Sequence, residues 1–80
     1  MTHNEALEQV QSIFQEVLKR QDIQLEESFT ANDVDGWTSL SHMMIISSIE
    51  KQFGFRFNFR EVMKFKNVGD LCDAIVKKIG

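Results

Sequence analysis

Apolar residues recur at helical spacing in three separate stretches of the chain. Within each stretch they follow one another at intervals of three or four residues, which places them on one face of an α-helix. The three sets are Leu7, Val10, Phe14 and Val17; Leu40, Met43, Ile46, Ile49 and Phe53; and Val68, Leu71, Ile75 and Ile79. We therefore expect helices over residues 3–19, about 39–53 and 68–79.

Residues that favour helix ends flank these stretches. Thr2, with Glu5 three residues later, has the pattern of a capping box at the start of the first helix. Thr38 or Ser39 is suited to cap the second helix, and Gly54 is placed to end it. The end residues therefore support the limits that the apolar spacing predicts.

The connections complete the predicted fold. Asn58 with Glu61 repeats the capping pattern and predicts a short helix through Lys64, while residues 20–37 form a long loop. The predicted fold class is all-α: a small bundle of three longer helices plus one short helix, with a long loop between the first and second helices. We expect five apolar side chains of the loop to pack against the core: Ile23, Leu25, Phe29, Val34 and Trp37. The predicted core is Val10, Phe14, Val17, Phe29, Ile46, Ile49, Phe53, Val68, Leu71 and Ile75.

Length and composition argue against several classes of function. Eighty residues allow a single domain over residues 1–80 whose core is too small to enclose a deep active site, so an enzyme is not expected. The single cysteine, Cys72, excludes an internal disulfide and a zinc site, and it favours a reducing compartment such as the cytoplasm. No apolar run reaches the roughly 18 residues of a membrane span, and residues 1–5 lack the character of a secretory signal.

Charge is divided unevenly along the chain. Residues 1–40 carry eight acidic and two basic side chains, and residues 41–80 carry four acidic and seven basic ones, which gives the net charge of −3. A pI of about 5.2 argues against nucleic-acid binding. A local basic strip is formed by Arg56, Arg60, Lys64 and Lys66. Such a strip is usually a solvated face, and the alternative is that it recognises an acidic partner or a phosphate.

Three patterns resemble parts of functional motifs. In each case the neighbouring residues do not complete the motif. The aromatic run Phe53–Phe59 is similar to the strand of an RNA-recognition module, but its flanks are predicted to be helical. Asp33–Gly36 resembles part of a calcium loop that lacks the required first and last oxygen ligands. Ser39 and His42 have the spacing of a nucleophile and base on a helix, without a third group to orient the imidazole.

The stretch from Gly36 to Met43 carries the most specific chemistry. A glycine and a capping residue lead directly into an amphipathic helix, and Ser39 falls in its first turn. Free backbone N–H groups and the positive end of the helix dipole favour an anion there. The Ser39 hydroxyl is therefore a suitable place for a phosphate ester, and the alternative is that Ser39 only caps the helix.

Three motifs in the chain carry a resemblance to a known family. They are Thr38-Ser39-Leu40 at the start of the second helix, Glu50 with Phe53-Gly54, Phe55 and Phe57 at its end, and Val68-Gly69-Asp70 at the start of the last helix. By these motifs the chain resembles the acyl carrier proteins, whose second helix begins with Asp-Ser-Leu. The resemblance needs no gap and extends over nearly all of the chain. Asp35-Gly36-Trp37 and His42 further resemble the stand-alone carriers that load amino or hydroxy acids, such as the D-alanyl carrier group.

The resemblance implies a function. A phosphopantetheinyl transferase with magnesium would attach 4'-phosphopantetheine from coenzyme A to Ser39, and the thiol of this arm would carry acyl or aminoacyl groups as thioesters. The chain would then be a monomeric cytoplasmic carrier, not an enzyme, that binds no metal and serves acyl- or aminoacyl-loading and transferring enzymes of fatty-acid or secondary-metabolite biosynthesis. The alternative is a carrier-shaped interaction module that is never modified.

Two departures from the family pattern bear on partner binding. Thr38 stands where the family has aspartate, and we expect the lost carboxylate to weaken recognition by the transferase. Glu50 is the only acidic residue of the second helix. We therefore expect partners to dock more by apolar contact than by charge. The predicted partner-binding residues are Trp37, Thr38, Leu40, His42, Met43 and Met44.

Overall fold

Four helices account for most of residues 1–79, the part of the chain that the computed structural model describes. In chain order they are α1 (His3–Leu18), α2 (Ser39–Phe53), α3 (Phe59–Lys64) and α4 (Val68–Ile79). The all-α class is confirmed, and the long helices begin and end within one residue of their predicted limits. None of these helices has the length and apolar content needed to cross a membrane.

Local capping explains why the limits could be predicted. The Thr2 side chain accepts a hydrogen bond from Glu5 N at 3.2 Å, and the Glu5 carboxylate accepts one from Thr2 N at 2.9 Å. Lys19 adopts a left-handed conformation (φ 56°) and ends α1 one residue earlier than expected. Gly54 ends α2 at φ 76°, a conformation that glycine adopts without steric cost.

The core lies where α1 packs against both α2 and α4. Seven of the ten predicted core residues are buried; Val17, Phe29 and Phe53 are instead half-buried at its edge. Phe53 is the last residue of α2, and its ring stacks on Phe55 at 6.1 Å outside the helical seam. Buried residues that the predicted core omits include Ala6, Ile13, Ile45 and Phe57.

The linker between α1 and α2 (residues 19–38) is fastened to the start of α4 by main-chain hydrogen bonds. Val68 N donates to Phe29 O at 2.9 Å, and Gly69 N donates to Glu27 O at 2.8 Å. A Cβ atom at Gly69 would lie 3.1 Å from Glu27 O, so the close approach favours glycine. Five linker side chains were predicted to pack against the core. Phe29 is half-buried, and the other four are buried, namely Ile23, Leu25, Val34 and Trp37.

The aromatic segment that follows α2 closes the other side of the bundle. It contains no strand. Phe57 is buried and meets Phe65 edge to face with centroids 5.1 Å apart, while Lys78 Nζ lies 5.7 Å from the Phe57 ring centre. This packing turns the central rings inward, which differs from the exposed stacking platform of an RNA-binding strand.

Candidate functional site

Ser39 is the first residue of α2 and is exposed to solvent. Backbone N–H groups in the first turn of a helix have no acceptor within the helix, and they concentrate positive partial charge there. The first turn of α2 contains no acidic side chain that would oppose an anion. An accessible hydroxyl thus stands in a setting that stabilises an attached phosphate.

The cap of α2 is formed by Thr38 and Ser41, and the Ser39 hydroxyl takes no part in it. Ser41 Oγ accepts a hydrogen bond from Thr38 N at 2.7 Å and donates to Gly36 O at 2.7 Å. Ser41 N donates to Thr38 Oγ1 at 3.3 Å. Gly36 adopts φ +91°, which lets the chain turn into the helix. The sequence left open whether Thr38 or Ser39 was the cap; the structure assigns it to Thr38 and gives Ser41 a role that the sequence did not indicate.

A groove of about 660 Å³ lies beside Ser39 between α2 and α3. We call it the Ser39 groove; it is lined by Ala31, Trp37, Thr38, Ser39, His42, Met43, Val62, Met63, Phe65 and Lys66. Most of its walls are apolar, with the Ser39 hydroxyl at one side. Nothing in the sequence indicated that residues of α3 and of the segment after it line this groove. Their closeness to Ser39 depends on how α3 packs beside α2.

His42 links three elements at the base of the groove. The Trp37 indole Nε1–H donates to His42 Nδ1 at 3.0 Å, and the imidazole meets the Phe65 ring edge to face with ring centroids 6.5 Å apart. Burial lowers the pKa of His42, and the nearby Val62 backbone opposes that shift. Trp37 also packs edge-on against Phe14 with ring centroids 4.9 Å apart. The imidazole of α2 therefore lies between Trp37 of the linker and Phe65, the residue that follows α3.

The residues that the sequence predicts for partner binding fall into two groups. Leu40, Met43 and Met44 are 75%, 54% and 50% exposed, Thr38 is exposed and His42 is half-buried. Trp37 is only 6% exposed, because its indole packs against the core and against His42. Trp37 therefore supports the site from beneath and offers a partner little surface, and its role in docking stays a prediction.

The other chemical patterns acquire structural roles. The Nδ1 atom of His42 accepts the hydrogen bond from the Trp37 indole, so this nitrogen is not free to act as a base on Ser39. Asp33 Oδ2 accepts a hydrogen bond from Thr30 N at 2.9 Å and stabilises a turn in the linker. Within residues 1–79 no cluster of three or more potential metal-ligating side chains is found. The basic strip is exposed, and none of its four residues forms a salt bridge with another described residue.

Comparison with known proteins identifies the family. The family model described as "Phosphopantetheine attachment site" matches residues 8–75, most of the chain. The chain belongs to the acyl carrier protein family. Acyl carrier proteins are carriers, not enzymes, and they interact with transferases and acyl-handling enzymes.

Two solved structures show the same fold in this family. The holo acyl carrier protein of Geobacter metallireducens, solved by NMR, is 42% identical with a TM-score of 0.85, over 91% of this chain and 84% of that chain. A Mycobacterium tuberculosis protein assigned as an acyl carrier protein is 25% identical with a TM-score of 0.82, over 91% of this chain and 97% of its own. No protein among the curated ones matches the sequence.

Proposed function

We propose that Ser39 carries 4'-phosphopantetheine and that the thiol of this arm carries acyl or aminoacyl intermediates as thioesters between partner enzymes. The observation that carries the proposal is the exposed Ser39 hydroxyl in the first turn of α2, inside the region that matches the phosphopantetheine attachment family. The Thr38–Ser41 cap supports it, because helix capping does not require the Ser39 hydroxyl.

The attachment is a phosphoryl-group transfer. The Ser39 oxygen attacks the phosphorus nearest to pantetheine in coenzyme A, a new P–O bond forms, and the bond to the departing adenosine 3',5'-bisphosphate breaks. The hydroxyl proton passes to a base of the transferase, whose magnesium neutralises the phosphates. The N–H groups of Ser39 and Leu40, in the first turn of α2, lie where they can stabilise the charge of the resulting phosphodiester.

The Ser39 groove would receive the remainder of the arm and a modest cargo. Met43, Val62, Met63 and Phe65 give it an apolar lining next to the attachment point. Unbranched thioether side chains adapt to irregular ligands, which suits a surface that meets different cargoes. The arm would hold its cargo at high local concentration for each partner in turn.

The exposed side chains of Leu40, Met43 and Met44 would form the principal docking surface, flanked by Thr38 and His42. Their exposure and the lack of acidic residues in the first turn of α2 support apolar docking. We further propose that the carrier is a cytoplasmic monomer. The buried free thiol of Cys72, which suits a reducing compartment, supports the location.

Intact-mass measurement tests the attachment. The apo protein is incubated with coenzyme A, magnesium and a transferase of broad specificity. We expect a gain of one phosphopantetheinyl group in the wild type, none in Ser39→Ala, and a normal gain in the control Ser47→Ala, which alters another exposed serine of α2. An unmodified wild-type protein, together with partner binding that is indifferent to Ser39→Ala, would support the interaction-module alternative.

Transferase kinetics test the docking surface. Leu40→Ser should raise KM roughly tenfold, because an exposed apolar anchor is lost. Ile79→Ser, at an exposed apolar position in α4, is the matched control and should leave KM unchanged. Raising the salt concentration from about 0.1 M to about 1 M should change KM little, whereas a steep rise would show that charge dominates docking.

A further inference from the structure

The outer face of α3 carries two exposed apolar side chains that the core does not use. Phe59 is 76% exposed and Met63 is 67% exposed, and their spacing of four residues places them side by side on the helix. None of the six residues of α3 is buried, so packing of the bundle does not require a phenylalanine at position 59. Exposed apolar residues that adjoin one another mark contact surfaces, whereas isolated ones are ordinary.

Basic side chains border this apolar pair. Arg60 and Lys64 each follow one of its members by one residue, so they form the adjacent row of the helix. Both are exposed, and within residues 1–79 neither forms a salt bridge. We call these four residues the α3 surface: Phe59, Arg60, Met63 and Lys64.

The nearest carboxylate is engaged elsewhere. From Phe55 to Lys66 the chain has four basic residues and one acidic residue, Glu61. The Glu61 carboxylate accepts a hydrogen bond from Asn58 N at 3.0 Å and forms a salt bridge with Lys78 of α4 at 3.1 Å. The cations of the α3 surface therefore lack an intramolecular counterion, although the whole chain has a net charge of −3.

We propose that the α3 surface is a second docking surface, and that it binds an acidic partner protein in which carboxylates border an apolar pocket. The pocket would receive Phe59, since a rigid aromatic ring is a typical anchor of an interface. Arg60 and Lys64 would pair with the carboxylates at the rim of the pocket. The charges of the two surfaces are then complementary, and the exposed ring is covered.

Extended polyanions match this surface less well. A nucleic acid or an anionic membrane presents negative charge over a wide area, which repels a chain whose residues 1–40 carry eight acidic and two basic side chains. Two apolar side chains also bury too little area to hold a protein on a membrane. A partner protein can instead place its carboxylates only where the cations lie.

The α3 surface adjoins the Ser39 groove, because Met63 also lines that groove. A partner bound there would stand next to the proposed attachment point. The proposal goes beyond the proposed function, since it does not require a modified Ser39. It also concerns a different class of partner from the transferase, which is proposed to dock on Leu40, Met43 and Met44 of α2 without the help of charge.

Two synthetic peptides test the chemistry of the partner. The acidic probe is an amphipathic helical peptide that presents leucines bordered by glutamates, and its twin has glutamine in place of every glutamate. In NMR titrations of the apo protein, the acidic probe should shift the amide signals of residues 59–64 and leave that of Leu40 unchanged. The twin should bind roughly tenfold more weakly, the combined effect of several exposed ion pairs. Equal binding of the twin, or shifts at Leu40 without shifts in α3, would overturn the proposal.

Charge-matched variants test the location. Arg60→Gln/Lys64→Gln should weaken binding of the acidic probe roughly tenfold. Lys19→Gln/Lys51→Gln removes the same charge at exposed positions elsewhere and should weaken binding less than about twofold, because salt screens distant charges. All four side chains are exposed, so both variants should remain folded. Equal losses in the two variants would show that the probe senses net charge alone, which would overturn the proposal.

The apolar anchor has its own control. Phe59→Ser should weaken binding of the acidic probe roughly tenfold, and Ile79→Ser, at an exposed apolar position of α4, should leave it unchanged. Equal effects of these two substitutions would contradict the role of Phe59. Ser39→Ala should bind the probe as the wild type does, which separates this result from the outcome of the modification test.

Two further measurements address other occupants of the surface. We expect no binding to vesicles of phosphatidylglycerol or of phosphatidylcholine, and a monomer in sedimentation experiments. Binding to phosphatidylglycerol vesicles that is tighter than binding to the acidic probe would assign the surface to membranes. Self-association that is lost in Phe59→Ser would assign it to a second copy of the chain. Either result would overturn the proposal.

Discussion

The Ser41 hydroxyl joins the two sides of the turn that leads into α2, lying 2.7 Å from both Thr38 N and Gly36 O. It thereby satisfies one backbone donor and one backbone acceptor next to the proposed attachment site. The neighbouring Ser39 hydroxyl is left exposed. Ser41 therefore stabilises the turn that leads into α2, while Ser39 in the same helical turn remains accessible.

Ser41→Ala should lower the free energy of unfolding by about 1–3 kcal/mol, because a buried hydroxyl and its partners lose their hydrogen bonds. Urea unfolding followed by circular dichroism measures the loss. Ser47→Ala, at an exposed position of the same helix, should change stability by less than about 0.5 kcal/mol. Similar losses in both variants would show that the Ser41 bridge is not stabilising.

Thr38→Asp should increase the rate at which a broad transferase modifies Ser39, since it restores the acid found in the family's pattern. Thr38→Asn is the control, because asparagine caps a helix about as well as aspartate but carries no charge. Initial rates from intact-mass time courses compare the three proteins. Equal acceleration by both substitutions would attribute the effect to capping, and no acceleration would show that the carboxylate is not needed.

Phe14→Ala should destabilise the protein by about 3–5 kcal/mol, because Phe14 is fully buried and packs against Trp37. Phe53→Ala removes the same ring from a half-buried position at the end of α2 and should cost less, about 1–2 kcal/mol. Chemical unfolding of both variants tests the order. A larger loss at Phe53 would place the centre of the core elsewhere.

The helices were predictable because their limits depend on local signals. Thr2 with Glu5 and the left-handed Gly54 act within a few residues of their own position. The attachment of the linker to α4 was not predictable, since it uses backbone atoms of Glu27 and Phe29 that have no side-chain signature. Trp37 illustrates the same limit at the site. An aromatic residue beside Ser39 suits either docking or burial, and only the packed structure distinguishes them.

His3 should make stability fall as pH rises above 6.5. Its imidazole lies 2.8 Å from carboxylates of both Glu27 and Asp73, and the hydrogen bond to Glu27 is the largest cause that raises its pKa. The stabilising contribution is complete below pH 6.5 and is lost as pH increases through the raised pKa. Thermal unfolding across this range should show the fall in wild-type protein and not in His3→Gln. His42→Gln is the control and should keep it.

Cys72 should not react with thiol reagents in the folded apo protein. Burial, assisted by the charges of Glu27 and Asp73, raises its pKa to about 12, so almost no thiolate is present near neutral pH. After transfer of phosphopantetheine, a colorimetric thiol reagent should therefore find one rapidly reacting equivalent, the arm itself. Rapid reaction of Ser39→Ala protein, which cannot receive the arm, would contradict the burial of Cys72.

The main-chain hydrogen bonds between the linker and α4 also determine which substitutions this sequence can accept. The hydrogen bonds at Val68 N and Gly69 N recognise carbonyl groups, which every amino acid supplies, so substitutions at positions 27 and 29 leave these two bonds in place. Gly69 lacks that freedom because of the close approach of Glu27 O. Lineages of this carrier should therefore keep glycine at position 69 even where the two residues that donate their carbonyl oxygens to this contact change.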